Sequence, residues 1–489
     1  MASQSPSARH PGLLAEPAGE QRRLRAAMAA ARAGARPALA AVSLIGLAAG
    51  SLFVVLAAAE RPSFLAPLAH KGYFPGWMAG PLHGLLPSLT DNYDSLAWLI
   101  SAVMAGMYVL YVLAFAGAPR LPARWTIATV IALHAIFLLA PPLSFTDVFN
   151  YINYGRMGVV HHLNPYTTIP QLEPHSDPSF SLSNWHYLLS PYGPLFTLLT
   201  YALVPLGVVA SYWAVKCVLA LASLATLALV WRCAELLGRS PSAAVVLVGC
   251  NPIILVWGLG GEHNDSLMLL FVVLAAYLLL HAPTSPRASA RAGVALVTAI
   301  FIKASAAVLL PIFLLAGQRR RFLAGALASG AALAGASAIA FGANLPGLST
   351  QSSVVTALGL PNLLGYALGQ GGETATVRTL ASVALVATIA VAAFRLWRGR
   401  CHWTSAAAVV LLALIASLSW EVPWYLLWAL PFAALSPSRG VRAATLVLGV
   451  FLLLTFVPAE SMLAEAIHFD PESTKLAQAH RREIERLVR

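Results

Sequence analysis

Charge is scarce in this chain, and that scarcity decides its class. Only 10% of the 489 residues are charged while 58% are hydrophobic, against about 25% charged in soluble domains. A soluble globular protein is excluded, and a polytopic membrane protein is expected. Length alone would allow about three domains, but the apolar segments follow one another with short gaps, which argues for one membrane domain. Cysteine is scarce too: Cys217, Cys233, Cys250 and Cys401 lie in or beside apolar runs without CxxC spacing. This pattern offers neither a disulfide nor a metal framework, and no metal is expected. A P-loop, a Rossmann glycine pattern, HExxH and GxSxG are all missing, so neither ATP nor a sugar nucleotide is the expected substrate of this chain alone. The net charge of +12 comes in small clusters between apolar runs, which argues against nucleic acid as a partner.

The apolar runs present are long enough to cross a bilayer, for which about 20 residues suffice. They are Ala38–Ala59, Ser95–Ala116, Arg124–Leu143, Ser211–Leu236, Pro241–Trp257, Ser266–His281, Phe322–Phe341, Thr376–Trp397, Trp403–Leu418, Val422–Leu435 and Val441–Val457. A further run, Arg291–Gly317, is interrupted at Lys303 and is either one long helix or two short ones meeting at that lysine. Tyr192–Val209 carries Gly193, Pro194, Pro205 and Gly207 and is ambiguous by itself. The positive-inside rule decides it. If Tyr192–Val209 is interfacial or re-entrant and the run around Lys303 is a hairpin of two half-length helices, the arginine clusters at 22–36, 120/124, 232/239, 287/291, 319–321, 395–400 and 439/442 share one face. Asp91, Asp94, Asp147, Glu173, Asp177, Glu262, Asp265, Glu373 and Glu421 then share the other. The expectation is an all-α polytopic protein of the plasma membrane with about 13 membrane segments and extracytoplasmic interfacial helices. Residues 1–37 read as a disordered cytoplasmic arm without a cleavable signal peptide, 38–457 as the membrane domain, and 458–489 as a charged tail forming a surface amphipathic helix.

This topology gathers the polar clusters on the extracytoplasmic side. The richest is 144–192, FTDVFNYINYGRMGVVHHLNPYTTIP…SPYGPLF, opening with Asp147 at the end of an apolar run. An acid there is costly unless it faces water or a partner. A carboxylate near a water-filled cleft can take a proton from a hydroxyl; the plainer reading is a helix cap, which leaves the polar neighbours Tyr154, Arg156, Asn164, Tyr166 and Tyr192 unexplained. His263, Asn264 and Asp265 precede the next run, where again a cap is the plain reading, yet three adjacent polar residues exceed what a cap requires. Four of the 31 basic residues are lysines, and Lys303 lies inside an apolar run. It either snorkels to the surface or serves as a point charge for a lipid phosphate, a role for which Arg156 is the second candidate. Glu421 and Trp424 sit in an aromatic cluster that would be an ordinary interfacial belt elsewhere.

In these residues the chain resembles a known family. DVFNYINYGRMGVVHHLNPY, then SPYGPL, then GGEHNDSLM are similar to the actinobacterial polyprenyl-phosphate-mannose-dependent mannosyltransferases. These GT-C class enzymes include the α-1,6-mannosyltransferases of lipomannan assembly. The likeness covers about 144–315; Glu262 departs from the small or apolar residue expected before His263, which bears on acceptor choice. The resemblance implies mannosyl transfer from polyprenyl phosphate mannose to a glycolipid or glycan acceptor outside the membrane, with inversion and without a cofactor. Asp147 would be the general base, Lys303 and Arg156 would hold the phosphate, and His263, Asn264 and Asp265 would orient donor or acceptor. Another lipid-linked sugar, arabinofuranose or glucose, is the alternative within the class. A lipid-linked glycan transporter is the alternative outside it, although no two-fold internal repeat is present.

Overall fold

The structure, a computed structural model, describes residues 18–60, 75–86, 89, 92–143, 146–344, 346–347, 354–471 and 474–488. Among them no strand occurs and helices carry the fold. Residues 1–17 and Asp91 lie outside the described residues. The first helix, α1 (Ala18–Glu60), already begins inside the arm that composition assigns to disorder. The reason is local: the arm is polar, but its Ala, Arg, Gln and Leu are strong helix formers.

Among the described residues five helical stretches are long and apolar enough to cross a membrane: Pro37–Glu60, Tyr93–Arg120, Pro194–Leu236, Arg319–Phe341 and Ala375–Trp397. The corresponding helices also expose what a soluble protein would bury. Ile339 is 90% exposed and Val386 65% exposed, so their outer faces suit lipid and not water. The protein is an all-α polytopic membrane protein.

The helices after α1 are α2 (Tyr93–Gly117), α3 (Ala123–Leu138), α4 (Asp147–Val159), α5 (Pro194–Leu203), α6 (Gly207–Leu236), α7 (Pro241–Gly249), α8 (Asp265–His281), α9 (Pro286–Ile302), α10 (Leu310–Ala316) and α11 (Arg319–Phe341). After them come α12 (Leu360–Ala367), α13 (Ala375–Trp397), α14 (Trp403–Ser417), α15 (Leu426–Leu435), α16 (Arg439–Leu454), α17 (Glu460–Ala466) and α18 (Lys475–Val488). The run at Pro241–Trp257 is not one helix. Asn251 Oδ1 accepts from the Ile253 and Ile254 amides, Pro252 removes a donor, and the chain resumes as π-helix over Ile254–Leu259. Single π turns of this kind cluster at functional sites. The ten residues of α5 rise ~15 Å, half the hydrocarbon thickness, so α5 alone is too short to span. It joins α6 through a turn that places Gly207 at φ +76°.

Lys303 breaks the run around it, as expected, with extended backbone at φ −153° between α9 and a 3₁₀ turn over Ala304–Leu309. The first arm is nearly full length, however: α9 has 17 residues. Glycines set its packing. Gly293 abuts the carbonyl of Phe322, Gly325 that of Ala290, and Gly330 faces Val297. Gln318, just before α11, donates its amide to Ser289 near the start of α9, and the Gly330–Val297 contact lies further along both helices, so α9 and α11 run parallel, and the chain must return between them. Lys303 therefore sits at one end, with Arg287, Arg291 and Arg319–Arg321 towards the other. At that second end Arg239 lies near enough to His402 and Arg442 to interact with both electrostatically.

Candidate active site

Asp147 opens α4, but no cap is made there: Thr146 before it accepts no side-chain bond. The carboxylate turns instead into a cavity. Its Oδ1 accepts a hydrogen bond from the Tyr192 hydroxyl at 2.8 Å, and Oδ2 lies 3.9 Å from His263 Nδ1. The side chain keeps 16% of its surface exposed. Burial raises its pKa to about 6, opposed by the Tyr192 bond and by Lys303. Such a group is mostly ionised at neutral pH and still basic enough to take a proton.

The cavity walls come from widely separated parts of the chain. Tyr151 and Tyr154 follow Asp147 on α4, Trp185 and Tyr192 come from the loop before α5, His263 and Asn264 from the loop before α8, and Trp424 and Tyr425 from the turn before α15. Lys303 completes it. Its volume is about 40 Å³, room for a few waters.

The loop from Gly258 to Asp265 folds without capping α8. Asn264, as the N-cap residue, offers α8 no side-chain bond. Its backbone amide donates to the Tyr151 hydroxyl at 3.2 Å, while both its carboxamide nitrogen and oxygen are buried without a partner. An orphaned donor and acceptor together at a cavity wall are what sugar hydroxyls, which both donate and accept, would satisfy. The His263 ring stacks on Trp424 at 3.7 Å. Burial, then Lys303, holds its pKa well below the usual range, so the ring beside Asp147 is neutral.

Lys303 is not a lone charge. Both carboxylate oxygens of Asp265 accept from its ammonium at 2.8 Å, and the Trp428 indole donates to the same carboxylate at 2.6 Å. The ammonium also lies 4.9 Å from the centre of the Tyr425 ring and 5.5 Å from that of Trp428. Asp265 thus sits beneath the cavity, 1% exposed, and positions Lys303 without facing a substrate.

Other expected site residues are placed elsewhere. Arg156 is bound through Nε to Asp177 at 2.8 Å, and His161 reaches the same carboxylate at 2.7 Å. Burial pushes Asp177 up, but Arg156, Ser179 and His161 together hold it well below the usual carboxylate range. Arg156 therefore braces the loop after α4. Asn164 turns the chain by accepting from the Tyr166 amide and ties it to the Phe341 carbonyl. Tyr166 donates to the Tyr192 carbonyl at 2.9 Å. Both support the cavity from behind. Glu421 accepts from the Leu360 amide at 2.6 Å and, pushed to about 8 by burial, caps α12 instead of lining the cavity. Glu262, expected to bear on the acceptor, is 1% exposed and pairs with Lys216 at 3.0 Å, again away from the cavity.

Tyr151, Trp185 and Tyr425 escaped the sequence reading as site residues. Tyr151 and Tyr425 sit four and one positions from chosen residues, and a ring-bearing segment beside an acid was the available signal. Among the described residues no three His, Cys, Asp or Glu side chains converge as a metal site would need.

Comparison with known proteins bears on this cavity. A family model described as "Alpha-(1->6)-mannopyranosyltransferase, N-terminal domain" matches residues 44–319, and one described as "MptB C-terminal domain" matches 350–469. A probable alpha-(1->6)-mannopyranosyltransferase of Mycolicibacterium smegmatis is 29% identical over 415 residues, 73% of this chain and 72% of the relative. Alpha-(1->6)-mannopyranosyltransferase A of Mycobacterium tuberculosis is 29% identical over 366 residues, 68% of this chain and 69% of its own. A protein of the same description in Corynebacterium glutamicum is 30% identical over 191 residues, 37% of each chain. No solved structure matches the chain.

Proposed function

This chain belongs to the alpha-(1->6)-mannopyranosyltransferase family, and from that membership we propose that it is a GT-C class enzyme of the plasma membrane. It moves mannose from polyprenyl phosphate mannose to a hydroxyl of a lipid-linked glycan on the extracytoplasmic face, in α-1,6 linkage. The observation that carries the chemistry is the partly exposed Asp147 carboxylate, bonded by Tyr192 beside neutral His263, in a cavity that Asn264 and Lys303 also line.

The acceptor oxygen attacks the anomeric carbon as its proton passes to Asp147. The bond from that carbon to the phosphate oxygen breaks, and polyprenyl phosphate leaves with the electron pair from the opposite face. A β-linked donor then gives an α-linked product in one inverting step. Glycosyl phosphate is already a good leaving group, so a base and a cation are chemically sufficient and no cofactor is required.

Lys303 is the phosphate partner that the geometry supports. An ammonium has three donors, and Asp265 accepts from it without removing it from the cavity wall. Asn264 would satisfy its carboxamide on the hydroxyls of the donor sugar. A lipid-borne substrate suits a site at helix ends in a chain with no nucleotide motif.

The test is transfer of labelled mannose from polyprenyl phosphate mannose to endogenous glycolipid in membranes, wild type against Asp147→Asn. Loss of roughly 10²–10⁴-fold in the variant, at equal protein level, is expected for removal of a general base. Full transfer by Asp147→Asn removes the base assignment. No transfer by wild type, with arabinofuranosyl or glucosyl phosphate lipids active instead, changes the donor.

A further inference from the structure

A second hollow adjoins the first. It encloses about 290 Å³, several times the volume around Asp147. Trp420 lines both hollows, and consecutive residues divide between them, Val354 facing the first and Val355 the second. Trp185, also on the Asp147 side, meets Trp420 edge to face at 6.0 Å. The two spaces are therefore neighbours across one indole.

The second hollow is roofed by the chain's own tail. His480, Arg481 and Glu485 of α18 line it, opposite Thr356, Asn362 and Phe456. The sequence reading gives this tail no chemistry, and 470–489 lies beyond both family matches. Yet α18 does not float on the surface. Tyr187 donates its amide to the Leu487 carbonyl at 3.0 Å, between Trp185 and Leu188, which both wall the Asp147 cavity. The Tyr366 hydroxyl reaches Pro471 and Thr474 at the tail's start. The tail is thus fastened to the site-bearing loop at one end and to α12 at the other.

The lining is of a particular kind. Trp420 and Phe456 contribute aromatic rings, and Thr356, Thr455, Glu460, His480, Arg481 and Glu485 stand among them, while Asn362 is already bonded to Ala357 and Glu373. Flat rings take the C–H faces of sugars, and the polar rim takes their hydroxyls. Charge of both signs on the rim favours a neutral ligand over an anion.

We propose that this hollow, closed by α18, is a subsite for the inner sugars of a neutral hexose-oligomer acceptor whose terminal hydroxyl reaches Asp147 past Trp420. This rests on the mannosyl-transfer reading and adds a length preference set by the tail. A monosaccharide acceptor fills only the Asp147 side, and a tri- or tetrasaccharide fills both.

The experiment uses the full chain in detergent or nanodiscs, with mannosides from mono- to tetrasaccharide. Two readouts are taken: KM and kcat for transfer, and direct binding without donor. The variants are His480→Ala and Arg481→Ala, neither of which touches the Asp147 cavity. In wild type KM should fall with acceptor length. In the variants KM for the tetrasaccharide should rise about tenfold, the size of one or two lost polar contacts, with kcat and the monosaccharide KM unchanged. A length-independent KM, or equal losses for short and long acceptors, overturns the subsite. If wild type transfers no mannose, the function reading fails, but the subsite is still decided by binding. Tetrasaccharide binding weakened by Arg481→Ala upholds it, while absent or unaltered binding, or displacement by anionic lipid vesicles alone, overturns it.

Discussion

At the scale of the residue, the proposed chemistry depends on the protonation of one carboxylate. Burial lifts Asp147 to about 6. As a base it works deprotonated, so kcat/KM should fall about tenfold per pH unit below that value and level off above it. Tyr192 donates to the carboxylate and so favours its charged form. Tyr192→Phe should therefore move the acid limb to higher pH, and an unmoved limb would detach Tyr192 from the titration. Asn264 gives an opposite kind of forecast. Its orphaned carboxamide costs the resting protein about 1–3 kcal/mol of desolvation. Asn264→Leu should raise the thermal midpoint of the purified protein while reducing transfer, the trade expected where a site is kept ready for a ligand. A variant that is both less stable and fully active would contradict this. Asp147, Tyr192, His263, Asn264 and Lys303 were legible in sequence because polar side chains stand out in apolar surroundings. Their partners were not. No spacing announces that Asp265 will neutralise Lys303 from 38 residues away, or that Arg156 will turn to Asp177.

At the scale of the element, helices were read well and their breaks less so. Runs of apolar residues fix where helices form, and Lys303 marks its own interruption. The break at Asn251-Pro252 and the π-helix after it follow from a local hydrogen-bond exchange that a hydropathy window averages away. The loop between that π-helix and α8 is held by a buried ion pair. Lys216 on α6 bonds Glu262 at 3.0 Å and also reaches the Ala140 carbonyl and the Tyr212 hydroxyl. Glu262 itself adopts φ +55°, a strained value for a side chain larger than glycine. Removing one partner leaves a buried charge, which costs about 3–5 kcal/mol, whereas removing both costs far less. Lys216→Met should lower thermal stability markedly, and Lys216→Met with Glu262→Gln should recover most of it. Equal losses in the two would show that the carboxylate is not held by the lysine. Gly193 is a second joint of this kind. Its amide bonds the Ile302 carbonyl, and a Cβ there would stand 2.2 Å from the Phe301 carbonyl oxygen. Gly193→Ala should separate Tyr192 from the Lys303 turn and lower kcat with the helices intact by circular dichroism.

At the scale of the whole molecule, the question is which face carries Asp147, and the fold turns it into a geometric one. The parallel packing of α9 and α11 puts Lys303 at one end and two arginine groups towards the other. The loop Ala282–Ser285, joining α8 to α9, belongs to that arginine-rich end because Asp265 and Lys303 pair at the far ends of the same two helices. The proposed topology keeps the arginine-rich loops in the cytoplasm and so opens the cavity on the other side, where a lipid-linked donor and a growing glycan would meet. Leu172, 69% exposed, lies in the loop after α4, and Thr284 is exposed in the loop after α8. In a background without the native cysteines, Leu172→Cys should react with an impermeant thiol reagent in whole cells. Thr284→Cys should react only after lysis. The reverse pattern would place Asp147 on the cytoplasmic face, and the outer-leaflet donor would then be out of reach of the base. Labelling of both from outside would mean that the two loops share a side, which α8 and α9, lying side by side with Asp265 and Lys303 paired at one end and the Thr284 loop at the other, do not allow.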